Sequence, residues 1–118
     1  MIVISLGGSL LYREKKFDED FARKAAQTLI NISDKQKTAV VVGGGFLAAK
    51  NAEKARKNTQ NEFYADVSAI KATRSNAKKI LSLLGQKACP KVLKSPESFL
   101  SALKQKNLAV CGGFLPGL

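Results

Sequence analysis

Four short runs of mostly apolar residues, Ile2–Leu6, Thr38–Val42, Lys91–Leu93 and Leu108–Cys111, alternate along the chain with longer stretches in which apolar residues recur every three to four positions. The short runs are rich in Val, Ile and Leu on both alternating faces, the pattern of strands covered by helices on both sides. Between them the 3.6-residue period predicts a helix over about Asp18–Ile32, capped by Asp18 and burying Phe21, Ala25 and Leu29. A second helix is expected from about Phe46 to Lys57. A third runs from about Glu62 to Leu84, with Phe63, Val67, Ile70, Ala77, Leu81 and Leu84 on its inner stripe. Ser95 and Pro96 supply a cap and a first-turn proline for a last helix burying Phe99, Leu100 and Leu103. This alternation predicts an α/β fold: one domain over residues 1–118, with an open, mainly parallel sheet in an α/β/α sandwich joined by right-handed crossovers.

Composition narrows the function classes. The 118 residues are 45% hydrophobic, enough for one core, and no apolar stretch approaches the roughly 20 residues that span a bilayer. No basic leader precedes the first strand, so the chain reads as cytoplasmic, with no membrane partner. Cys89 and Cys111 stand without any His, which suggests neither a zinc site nor a disulfide framework; both are expected to be buried, and no metal ligand is assigned. The net charge of +11, from 20 Lys and Arg against 9 Asp and Glu, attracts anions. The cations (Lys50, Lys54, Lys57; Lys71, Lys78, Lys79; Lys104, Lys106) are spread along helices without interleaved aromatics. They read as a solvated surface in preference to a nucleic-acid face.

Three strands end in glycine: Gly7-Gly8-Ser9, Gly43-Gly44-Gly45, and Gly112-Gly113 with Pro116-Gly117. Any one pair is ordinary turn punctuation. Three at the carboxyl ends of parallel strands favour a polyanionic ligand, because glycine lets backbone N–H groups approach a phosphate at the start of the next helix. Neither GxGxxG nor GxxxxGK[ST] is present, which disfavours a Rossmann site or a P-loop.

The segments Ile4–Leu10, Val40–Ala48, Asp66, Ala72-Thr-Arg-Ser-Asn-Ala77 and Gly112–Gly117 occur in an order and spacing that resemble the archaeal-type uridylate (UMP) kinases of the amino-acid-kinase superfamily. The resemblance implies the amino-acid-kinase fold and an ATP-dependent phosphorylation of UMP, with ATP and Mg2+ as cofactors. It places Gly8, Ser9 and Gly45 on the ATP side. Gly44, Asp66, Phe114, Leu115, Pro116, Gly117 and Leu118 fall on the UMP side. Asp66 would accept hydrogen bonds from ribose hydroxyls, although a first-turn Asp that complements a helix dipole looks the same in sequence. Thr73, Arg74 and Asn76 are implied to line the nucleotide cleft or a subunit contact; otherwise they are a polar interruption of an amphipathic helix.

The chain departs from the family pattern at three places. Ser5 carries no charge where the family carries Lys or Asp, Ala49 replaces an Arg with Lys50 beside it, and Phe114 replaces a phosphate-contacting Thr. The resemblance also implies that the chain corresponds to an N-terminal lobe alone, truncated before the ATP lobe. It would then be doubtful as an enzyme by itself and would work with a complementary half or as a homo-oligomer. Leu108–Cys111 is expected to be left as an unpaired apolar edge. The alternatives are a non-catalytic assembly subunit of the same fold, or another small-molecule kinase of the superfamily.

Overall fold

The computed structural model describes residues 1–59 and 61–113. Four strands, β1 (Ile2–Leu6), β4 (Thr38–Val42), β5 (Val92–Leu93) and β6 (Leu108–Cys111), form one parallel sheet in the order β1-β4-β6-β5. The register places Ile4 beside Val40 and Val40 beside Val110. A small hairpin, β2 (Tyr12–Arg13) with β3 (Lys16–Phe17), follows a 3-10 turn at Gly8–Leu11. Its two turn residues, Glu14 and Lys15, both take positive φ (52° and 66°), the conformation a two-residue hairpin turn demands whatever the residue.

Among the described residues lie the α-helices α1 (Glu19–Ser33), α2 (Gly45–Thr59), α3 (Glu62–Leu84) and α4 (Pro96–Ala102). Asp18 caps α1, its carboxylate accepting from the Phe21 N–H, and Ser95 and Ser98 close a reciprocal capping box on α4, with Pro96 in the first turn. Residues Val40, Val42, Leu108 and Val110 point to one face, where they meet Ala22, Ala26 and Leu29 of α1 and Ala77, Ile80 and Leu84 of α3. The opposite face of the same strands, Ala39, Ala109 and Cys111 with Leu93 of β5, meets Phe99 and Leu103 near α4. The parallel sheet with flanking helices is therefore as the sequence predicts.

Several packing expectations are corrected. The buried stripe of α1 runs through Ala22 and Ala26 with Leu29, while Phe21 and Ala25 are only half-buried. On α3 the stripe is Ala65, Ala72, Asn76, Ala77, Ile80 and Leu84; Phe63 is exposed, and Val67, Ile70 and Leu81 are intermediate. In both helices alanine takes the closest approach, because a small side chain lets the helix settle onto its neighbours while larger ones wedge at the flanks. Leu100 is exposed and Cys89 half-buried. Coverage on both faces holds for β4 and β6 but not for β1, whose Val3 lies 60% exposed because α4 does not reach it. Finally, β6 is no edge: β5 pairs beside it, Val92 with Val110 and Leu93 with Cys111, and all four β6 residues are buried.

Candidate functional site

The first two glycine loops interlock. Gly43 N–H donates to the Leu6 carbonyl at 2.9 Å, which continues the β1–β4 pairing into the loops. A β-carbon on Gly8 would lie 2.4 Å from the Gly45 nitrogen and 2.6 Å from the Gly43 carbonyl oxygen, so the backbones touch directly. Gly45, at φ +53°, opens α2. The first amides of a helix have no partner within it, and a loop without side chains leaves them approachable by an anion. Ser9 is exposed beside this contact, whereas Gly44 is buried.

The third loop joins through α3. Thr73 Oγ1 accepts the Gly113 N–H at 2.6 Å and donates to the Ile70 carbonyl at 2.6 Å, and Arg74 Nε donates to the Gly113 carbonyl at 3.2 Å. One turn on, Asn76 is fully buried. Its Nδ2 donates to the carbonyls of Gly43 (3.0 Å) and Gly44 (3.1 Å), and its Oδ1 accepts the Tyr12 hydroxyl at 2.8 Å. Tyr12 is held in turn by edge contact with Phe17, ring centroids 5.8 Å apart, and by Phe46 at 6.1 Å. Lys79 lies over the Phe17 ring, 4.7 Å from its centroid, and is no free surface cation.

Asp66 lies on the same side of α3. Positions 66, 70 and 73 follow the i, i+4, i+7 spacing of one helix face, and a β-carbon on Gly113 would lie 3.3 Å from Ile70 and 3.4 Å from Thr73. Asp66 is half-buried. It acts at a distance on Arg56 of α2, whose pKa is raised first by the hydrogen-bonded Glu62 carboxylate (2.9 Å) and then by charge attraction from Glu62 and Asp66.

Of the residues expected from sequence, Gly8, Ser9, Gly44 and Gly45 come together at one point, and Asp66 sits on the helix face that runs towards Gly113. Phe114, Leu115, Pro116, Gly117 and Leu118 lie outside the described residues. Thr73, Arg74 and Asn76 prove to be bolts between α3 and the loops. Sequence reading misses Tyr12 and takes Lys79 for a solvated surface cation, and the one sequence signal for the set is an amide among alanines on the inner stripe of α3. Among the described residues no three His, Cys, Asp or Glu side chains cluster where they could hold a metal ion.

Charge concentrates elsewhere. A groove of about 590 Å3 between α3 and β5 carries Lys71, Arg74, Lys78, Lys91 and Lys94 with no acidic residue. Part of the basic surface thus converges, instead of being spread evenly along the helices. An apolar groove of about 320 Å3 lies on the open face of β1, between Met1, Val3 and Val41 on one side and Pro96, Phe99 and Leu100 on the other. No helix among the described residues is long and apolar enough to cross a membrane.

The chain is similar to known proteins along its length. Over 116 residues the chain is 38% identical to the uridylate kinase of Thermococcus kodakarensis, a match covering 98% of this chain and 51% of that protein. It is 37% identical over 117 residues to the uridylate kinase of Methanosarcina mazei, covering 99% of this chain and 49% of that one. The crystal structure of uridylate kinase from Archaeoglobus fulgidus superposes with a TM-score of 0.89 at 32% identity, covering all of this chain and 53% of that one. The UMP kinase of Ureaplasma parvum, at 19% identity and TM-score 0.75, shares the fold. The chain spans about half the length of the curated relatives it matches. No family model matches the chain.

Proposed function

The chain is related to the uridylate kinases along its whole length and about half of theirs, and from that relation we propose that it forms the UMP-side, N-terminal lobe of an ATP-dependent UMP kinase, a phosphotransferase that makes UDP for pyrimidine nucleotide synthesis. The observation that carries the reading is the meeting of the Gly8 and Gly43–Gly45 loops at the carboxyl edge of a parallel sheet, with Asp66 on the α3 face that leads to the third loop.

In this reading the amides around Gly8 and Ser9 face the phosphates of ATP, Gly44 faces the UMP phosphate, and Gly45 lies between donor and acceptor. Asp66 accepts the ribose hydroxyls, a task suited to a group that offers only acceptors. Phe114, Leu115, Pro116, Gly117 and Leu118 are assigned to UMP binding by the resemblance alone. Phosphoryl transfer is catalysed by positioning and by stabilisation of charge. Here the chain's own contribution is positioning: backbone amides hold the acceptor phosphate and the loop contact orients it. Ser5 and Ala49 supply no cation, and the remaining half of the relatives would hold the rest of ATP.

Calorimetry on the 118-residue chain tests the assignment. UMP is expected to bind in preference to CMP and AMP, and Asp66→Asn to weaken UMP by roughly tenfold through loss of charge-assisted hydrogen bonds. A coupled ADP-release assay on the chain alone is expected to show no turnover. Equal or absent binding of the three nucleotides up to millimolar concentration overturns the uridylate reading. That outcome would favour a second reading, a non-catalytic assembly subunit, which the uncharged Ser5 and Ala49 and the open apolar face of β1 support.

A further inference from the structure

We propose that Thr73 is a positioning residue that sets the spacing between the Gly43–Gly45 and Gly112–Gly113 loops, and through that spacing the affinity for a nucleoside monophosphate. The affinity part rests on the UMP reading above; the spacing part stands on geometry alone. The two branches of its β-carbon face the two loops. The hydroxyl branch accepts the Gly113 N–H at 2.6 Å. The methyl branch faces the other loop, since a β-carbon on Gly44 would lie 3.3 Å from Thr73 Cγ2. Gly112 packs so closely that its own β-carbon would lie 2.6 Å from the same hydroxyl and 2.7 Å from the Arg74 nitrogen.

The hydroxyl has one proton, and it is given to the Ile70 carbonyl at 2.6 Å, one turn back on the helix. Towards the loop it therefore acts only as an acceptor, which matches the amide it faces. That same bond selects one χ1 rotamer of a side chain already stiff at that torsion, so methyl and hydroxyl are fixed relative to the axis of α3. Asn76 fastens the Gly43 and Gly44 carbonyls from the next turn, and Arg74 fastens the Gly113 carbonyl. Of the three, Thr73 is the residue that bonds Gly113 through one branch and faces Gly44 with the other. A shift of its side chain would move the Gly43–Gly45 loop relative to the Gly112–Gly113 loop at the end of β6.

Amide exchange and UMP titration of three versions of the 118-residue chain decide the matter. Thr73→Val keeps the shape and removes the acceptor; it is expected to speed exchange of the Gly113 amide by about tenfold and to weaken UMP by about tenfold, the loss of one partly buried hydrogen bond, while the Val40 amide is unchanged. Thr73→Ser restores the acceptor and is expected to return Gly113 exchange to within about twofold of the parent. Gly113 exchange that ignores Thr73→Val, or that rises equally at Val40, overturns the spacing role. Should Thr73→Val fail to fold, the parent chain decides: a Gly113 amide exchanging at the open-chain rate refutes the bond. If the parent binds no UMP while Gly113 responds as stated, the ligand reading falls and the spacing role stands.

Discussion

Gly8 and Gly45 meet backbone to backbone: a β-carbon on Gly8 would stand 2.4 Å from the Gly45 nitrogen, and one on Gly45 would stand 2.4 Å from the Gly8 carbonyl carbon and oxygen. No side-chain rotation relieves contacts of that kind, because the obstacle on each side is main chain. Gly8→Ala is therefore expected to cost about 1–3 kcal/mol, the range of overpacked interiors, and to displace both loops. Gly45→Ala adds the strain of a side chain at φ +53° and is expected to cost at least as much. Urea denaturation measures both, and Gly7→Ala is the control, since its β-carbon would meet nothing closer than 3.9 Å.

Asn76 satisfies three partners from inside the core, so its removal strands polar groups. Asn76→Ala is expected to cost about 1–3 kcal/mol by leaving the Tyr12 hydroxyl proton without its acceptor and the Gly43 carbonyl without the amide that donates to it. Tyr12→Phe removes one donor and leaves the amide bonds to Gly43 and Gly44 in place, and should cost about 1 kcal/mol. Equal losses in the two variants, read from thermal or urea unfolding, would show that the loop carbonyls do not depend on the amide.

The thiol of Cys111 is buried, and burial pushes its pKa from the ordinary 9.0 up to about 11. Between those values the unfolded chain has released a proton that the folded chain still holds, so the folded state binds more protons and its stability falls as pH rises. The contribution is fully present below pH 9 and lost on approach to about 11. Cys111→Ala should flatten that part of the stability curve. Thiol-reagent kinetics at pH 8 should find Cys89, the half-buried thiol, reacting first.

The open face of β1 predicts behaviour in concentrated solution. Met1, Val3 and Leu100 expose 71%, 60% and 64% of their surface around one apolar groove. Leu100→Lys is expected to change stability by less than about 0.5 kcal/mol, as surface substitutions do, and to lower the concentration dependence of light scattering. Unchanged scattering in this variant would move any self-association to another surface.

Much of this architecture is legible in residue order alone, because its causes are local. Apolar runs long enough for a strand place β1, β4 and β6 at the bounds the structure gives them. Asp18, Ser95 and Pro96 announce α1 and α4 through hydrogen bonds made within three residues, and α3 begins and ends where the 3.6-residue period says it does, at Glu62 and Leu84. The glycine loops are visible for the same reason: each stands directly after its strand. Tertiary structure decided what depends on distant partners. It turned α1 onto Ala22 and Ala26, since the face that packs is the one that comes closest to the sheet, not the one with the largest residues. It put β5 beside β6, so the strand expected at an edge lies inside. It made Asn76 a bolt between α3 and a loop more than thirty residues away in sequence, because a buried amide must find donors and acceptors wherever the fold brings them.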